Sequence, residues 1–266
     1  VNKYYTALVK PEYTDETVEA NLSNIWSSAY STILNCNVLL KNLEVSTGVL
    51  NEQEKKVLTG EALALRAFLH LDMLRLFGPV YATNKADLSI PYNTVYSISA
   101  TSLLPATQVV EKVLKDLDEA ERLLGESDPI IEEGPQNQDS EDGLNYYTYR
   151  TQRLNYYAVK ALKARVYLWA DNKAEAYREA KAVTAVQEQW FPWTGRLWII
   201  REIRTGSFLQ NCCLQLIIMH VKRFLRIISV PLWSLHKCIH LKNISMIYLL
   251  GICWIGVTDR FGWKAL

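Results

Sequence analysis

The residues best equipped to touch a ligand lie in two stretches without a sustained helical period. Residues 78–104 hold Tyr81, Asn84, Tyr92, Asn93 and Tyr96, and residues 126–152 hold Asn145, Tyr146, Tyr147, Tyr149 and Arg150. Tyrosine rings with amides and a guanidinium beside them bind by stacking and hydrogen bonding. The bland alternative for each ring is to cover the edge of a core. Signatures of catalysis do not accompany them: the chain has no Gly-rich phosphate loop and no Gly-x-Ser-x-Gly elbow. Among 28 acids no carboxylate pair stands out as a general acid and base. Near the C-terminus, His236-x-Cys238-x-His240 and the adjacent Cys212 and Cys213, with His220, fit no zinc-ligand spacing. No catalytic residue, metal or cofactor is assigned.

The elements that must position these loops are helices. Leu22, Ile25, Trp26, Ala29, Ile33, Asn37 and Leu40 recur at three- and four-residue steps and predict a helix over 21–45, with start signals in Thr14-Asp15-Glu16-Thr17 and a stop at Gly48. A second helix is predicted over 51–77, capped by Asn51, ended by Gly78-Pro79, and burying Val57, Leu58, Ala62, Leu65, Leu69 and Leu76. A third starts at Pro105, carries Val109, Val110, Val113, Leu117, Ala120 and Leu124 inward, and stops at Gly125. A fourth (155–170) and a fifth (173–189) are separated by so few residues that they must form an antiparallel hairpin. Ala158, Ala161, Ala164, Ala174, Ala176, Ala180 and Ala182 would let the axes of that hairpin approach closely, as in tetratricopeptide-like architectures, although no clean 34-residue period is present. The fold class read from this pattern is all-α: tetratricopeptide-like helical hairpins with long ordered loops, the acidic stretch 126–143 being mobile at its centre. Trp26, Tyr30, Phe68 and Trp169 fall on periodic faces and are assigned to the core. Glu61, Arg66, Arg153 and Arg165 interrupt apolar faces, where charges pair with one another or with helix ends and fix helix packing.

Composition allows a substantial core, with 49% apolar residues in 266. The net charge of +1 gives no footprint for nucleic acid, but it hides an asymmetry. Residues 196–266 carry ten basic and two acidic residues, a net +8, which leaves residues 1–195 at −7. That tail also holds four of the five cysteines and a single alanine, Ala265. Its longest apolar run, Ile244 to Val257, is short of the roughly 20 residues that span a bilayer. The domain organisation expected is a helical region over 1–195 and an aberrant basic, apolar tail over 196–266, either the product of out-of-frame translation or a natural basic tail. Before the break the single Cys36 excludes a disulfide framework. Val1 opens the chain without a signal sequence, so the termini do not report localisation.

Three segments resemble the SusD/RagB family of outer-membrane nutrient-binding lipoproteins. The first is Trp26-x3-Tyr30-x2-Ile33-x3-Asn37-x-Leu39-Leu40. The second runs from Gly60-Glu61-Ala62-x2-Leu65-Arg66-Ala67-Phe68 to Leu76-Phe77-Gly78-Pro79-Val80. The third is the helix from Arg153 and Asn155 through Ala158, Ala161 and Leu162 to Ala164-Arg165-Val166-Tyr167-Leu168. Two positions depart from the family pattern, Tyr81 where a proline usually follows Gly-Pro-Val and Cys36 where a small residue is usual; the tail lacks the later aromatic-rich regions altogether.

The resemblance implies an oligosaccharide-binding protein without catalysis, at the bacterial cell surface, on the outer membrane. It would be attached through a lipidated N-terminus that is not in these residues and would partner a TonB-dependent transporter of the SusC type. Sugars present apolar ring faces edged by hydroxyls, so the loop residues Tyr81, Asn84, Tyr92, Tyr96, Tyr146, Tyr147, Tyr149 and Arg150 become the candidate ligand contacts. Trp26, Tyr30, Asn37, Gly60, Glu61, Arg66, Gly78, Arg153 and Arg165 become structural motif positions. Two rivals remain: a helical-repeat interaction scaffold without sugar binding, and a fragment of an α-helical glycoside hydrolase.

Overall fold

The computed structural model describes residues 14–46, 48, 50–97, 101–135 and 147–191. The chain divides into two units, Asn21–Trp193 and a second made of Val1–Ala20 with Thr194–Leu266; of the second, residues 14–20 alone are described. The predicted tail over 196–266, its cysteines and histidines, the apolar run 244–257 and the boundary at 195 all lie outside the described residues.

The described chain is helical, as its periodicity predicts. Helix α1 (Glu16–Val45) begins earlier than the predicted 21, because Asp15 Oδ1 accepts the backbone N–H groups of Thr17 (3.0 Å) and Val18 (3.2 Å). Its inner face holds Ala29, Ile33, Cys36 and Leu43, whereas Ile25, predicted inside, is exposed. Helix α2 (Glu52–Phe77) opens with a capping box: Glu54 N–H donates to Asn51 Oδ1 at 2.8 Å and Asn51 N–H donates to Glu54 Oε2 at 2.9 Å. It does not have one buried face. Leu63, Ala64, Ala67, Leu71, Met73 and Leu74 are buried along with the predicted Val57, Ala62 and Leu69, whereas Leu58 and Leu65 are half-buried and the predicted Leu76 is exposed. The reason is position: α2 is packed by the helix Ala106–Ser127, by the strand Leu88–Pro91 and by the helix Tyr156–Trp169 at once.

The connection after α2, expected to be a loop without a sustained period, holds regular structure. A short helix α3 (Tyr81–Asn84) leads into strand β1 (Leu88–Pro91), which pairs antiparallel with β2 (Leu103–Pro105), Leu88 opposite Pro105 and Pro91 opposite Leu103 with a register shift between. Three or four residues are too few to show alternation in sequence, and prolines sit at the ends of both strands, where a missing N–H does least harm. Tyr30 Oη donates to the Pro91 carbonyl at 2.9 Å and ties the hairpin to α1.

Helix α4 (Ala106–Ser127) lies along α2 more extensively than any other pair of elements packs. Gly60 permits this: a Cβ there would stand 2.7 Å from Leu124 Cγ. α4 runs past the predicted stop at Gly125 to Ser127 and ends where Asp128 turns extended before Pro129. A 3-10 turn follows at Pro129–Ile131 and another at Arg150–Gln152. Helices α5 (Tyr156–Trp169) and α6 (Lys173–Ala185) form the predicted hairpin, capped by Asn155 and Asn172, and α6 is followed by a short helix α7 (Gln187–Trp190). Ala158, Ala161, Ala164, Ala176 and Ala180 are buried, but Ala174 and Ala182 face out, so five of the seven alanines serve the close approach. No helix among the described residues is long and apolar enough to cross a membrane.

Candidate functional site

A buried polar cluster joins α1, α2 and α4 to the segment 92–97 that leaves β1. Arg66 and Asp116 make a bidentate pair, Nε and Nη2 each 2.7 Å from a carboxylate oxygen. Tyr92, which the sequence offered as a loop platform, is buried: its hydroxyl donates to Asp116 Oδ2 at 2.7 Å and its ring stacks on His70 at a centroid distance of 3.9 Å. Burial, and then the Asp116 carboxylate, push the Tyr92 hydroxyl's pKa up. Burial works against the charge on Arg66, but the bonds and charge of Asp116 outweigh it and hold the guanidinium protonated.

His70 is fully buried, and burial lowers its pKa to about 4. Its tautomer follows from its partners. Nε2 faces the Asn93 N–H at 3.1 Å, a donor only, so Nε2 accepts; Nδ1 lies 2.8 Å from the Arg66 carbonyl, an acceptor only, so Nδ1 carries the proton. Asn37 donates from Nδ2 to the carbonyls of Asn93 (3.2 Å) and Val95 (3.4 Å), while its Oδ1 accepts from Arg66 Nη1 at 2.9 Å. Arg66 Nη1 also reaches the Thr94 carbonyl at 3.4 Å. Val95 and Tyr96 are left 66% and 57% exposed at the surface of this segment.

A second cluster fixes the chain before α5. Asp128, itself buried, accepts from Arg150 Nε (2.9 Å) and Nη2 (2.7 Å), from Ile130 N–H (3.2 Å) and from Tyr156 N–H (3.0 Å). Arg150 also pairs with Glu61 on α2, which reaches Arg153 at 3.4 Å. Arg150, expected to touch ligand, is therefore an interior residue with no exposed surface, its donors drawn inward by two carboxylates. Arg165 pairs with Asp72 at 3.2 Å, so each of the four motif charges has an ionic partner on another element.

The remaining expected contacts divide. Tyr81 starts α3 half-buried, and burial followed by the nearby Glu111 carboxylate raises its pKa. Asn84 is exposed and donates to Asp87 Oδ2 at 2.9 Å. Tyr147 is half-buried and donates to Asn51 Oδ1 at 3.2 Å. Tyr149 takes a left-handed conformation, φ +51°, at the entry to the second 3-10 turn. Tyr146 and Asn145 lie outside the described residues. Trp26, Tyr30, Phe68 and Trp169, assigned to the core, are half-buried at its margin, Trp26 standing edge-on to Phe77 at 5.0 Å.

Among the described residues, Tyr147 and the segment 93–95 do not converge. Tyr147 is anchored at Asn51 and segment 93–95 at Arg66, fifteen residues apart along α2, or about 22 Å at 1.5 Å per residue. Of the expected contacts, Tyr96 combines an exposed ring with a neighbouring backbone, 93–95, that is held by buried side chains. His70 and Asp116 were missed by the sequence reading. The available signal was an acid in register with the apolar stripe Val109, Val113, Leu117 and Ala120, and the only histidine of the first 195 residues, set inside an apolar helix.

Comparison with known proteins places this arrangement in a family. Residues 2–135 match the SusD-like family described as starch-binding and associating with the outer membrane. A solved structure from Bacteroides vulgatus, whose name assigns it to sugar binding, is 28% identical, with a TM-score of 0.51 over 63% of this chain and 34% of its own. A SusD superfamily protein from the same organism is 23% identical, with a TM-score of 0.50 over 62% and 33%, which speaks for the fold alone. The chain thus spans about a third of the length of these structures. No curated protein matches it. The chain belongs to the SusD-like family.

Proposed function

We propose that the protein binds oligosaccharides at the bacterial outer-membrane surface without cleaving them and hands them to a TonB-dependent transporter of the SusC type. The observation that carries this reading is the family match over residues 2–135, whose description is starch-binding and association with the outer membrane. The geometry supports it in one respect: Tyr96 offers a largely exposed ring on a backbone held by buried groups, as a stacking platform for a sugar face requires. Attachment is through a lipidated N-terminus, and ligand is passed on whole.

Calorimetry and affinity electrophoresis with maltoheptaose, soluble starch and a panel of other plant and microbial glycans test the proposal. Saturable binding with the glycan recovered intact is the expected result. Release of shorter oligosaccharides would replace it with a hydrolase, and silence across the panel with an interaction scaffold.

A further inference from the structure

The segment after β1 has no secondary structure of its own between Tyr92 and Ser97, yet its backbone is bonded by side chains rising from beneath it. Asn37 from α1 donates to the Asn93 and Val95 carbonyls, Arg66 from α2 reaches the Thr94 carbonyl, and His70 from α2 accepts the Asn93 N–H. These three groups are themselves buried and mutually fixed: Asn37 by Arg66, Arg66 by Asp116, His70 by its own helix carbonyl and by the Tyr92 ring. Exposed loops ordinarily leave such backbone groups to water and retain conformational freedom. Here four consecutive-region backbone groups are taken by the core, directly beneath the exposed Val95 and Tyr96.

We propose that Asn37, Arg66 and His70 are positioning residues for glycan binding, a clamp that fixes the backbone of 93–95 so that the Tyr96 ring meets a sugar face without being ordered at the moment of binding. This rests on the proposed glycan-binding function. The physical basis is preorganisation: a platform already immobile forfeits less entropy on binding than one that must be ordered. Asn37 occupies the key position because its two ends do different work. Its Oδ1 satisfies Arg66, and its Nδ2 holds the loop. Asn37→Asp keeps an acceptor for Arg66 and removes the donor to both carbonyls, so it loosens the loop while retaining the buried ion pair.

Hydrogen exchange of the 92–97 amides without glycan, and maltoheptaose affinity by calorimetry, are measured on the wild-type chain, Asn37→Asp, Tyr96→Ala and Val183→Ala. Val183 is buried in α6, away from the clamp, and reports what a general loss of stability does. The expected result is exchange of the Asn93 amide about tenfold faster in Asn37→Asp, the size of two lost net hydrogen bonds near the bottom of their usual range. Maltoheptaose affinity should fall about fivefold or more in that variant and in Tyr96→Ala, with exchange unchanged in Tyr96→Ala and both readouts unchanged in Val183→Ala. Unaltered exchange in Asn37→Asp overturns the clamp. Faster exchange with unaltered affinity overturns its positioning role and leaves a structural tie. Absence of maltoheptaose binding by the wild type removes the starch-binding reading and the positioning role with it, and is told apart because the exchange measurement needs no sugar.

Discussion

A histidine that must accept a hydrogen bond inside a protein must stay neutral. His70 accepts from the Asn93 amide and is enclosed by Tyr30, Tyr92, Arg66 and Asp116, with burial bringing its pKa to about 4. The unfolded chain takes up a proton near pH 6.5, so between about 6.5 and 4 the unfolded state binds more protons and folding stability falls as pH falls. The full effect is about 3 kcal/mol at 1.36 kcal/mol per pH unit. Denaturant unfolding at pH 7.5 and pH 4.5 should show that slope, and His70→Gln should flatten it. Arg150 gives the sharper case. Removing it by Arg150→Ala leaves Asp128 buried and charged without its main partner and should destabilise by about 3–5 kcal/mol in urea unfolding. A loss under 1 kcal/mol would mean that the backbone donors Ile130 and Tyr156 suffice for that carboxylate.

The helices obey their local signals, and the departures occur where neighbours intervene. The capping box at Asn51 and Glu54 and the N-caps at Asn155 and Asn172 are local chemistry, and they start helices within a residue of the positions predicted. Gly60 is different. In an isolated helix Ala is favoured over Gly by about 1 kcal/mol. On α2 the added Cβ would meet the buried Leu124 at 2.7 Å, and the overpacking of about 1–3 kcal/mol outweighs that gain. Gly60→Ala should therefore lower the melting temperature, whereas at the exposed Gly125 of α4 the same change should raise or preserve it. The helix stop expected at Gly125 failed for a related reason: glycine permits an end, but the following Asp128-Pro129 enforces one.

At the scale of the molecule, binding without turnover is the prediction that matters. It rests on the family match over residues 2–135, with the exposed Tyr96 ring as the proposed contact. Tyr96→Ala should weaken glycan affinity, whereas Tyr147→Phe, at a hydroxyl anchored on Asn51 about 22 Å along α2 from Arg66, should not. The acids Asp116, Asp128 and Glu61 are engaged by Arg66, Arg150 and Arg153 in holding helices together.

By itself the sequence determined the helices, their caps, the all-α class, the hairpin of α5 on α6 and the family, because periodicity, capping and short connections act within a few residues of one another. It also indicated that charges on apolar faces would have partners. Only the tertiary structure decided who those partners are, for Arg66 meets Asp116 from 50 residues away and Arg150 meets Glu61 from 89. It also turned Tyr92 and Arg150 inward while leaving Tyr96 in water. In the residue string these three stand in equally polar, aperiodic stretches, and a side chain's exposure depends on which helix passes beneath the loop.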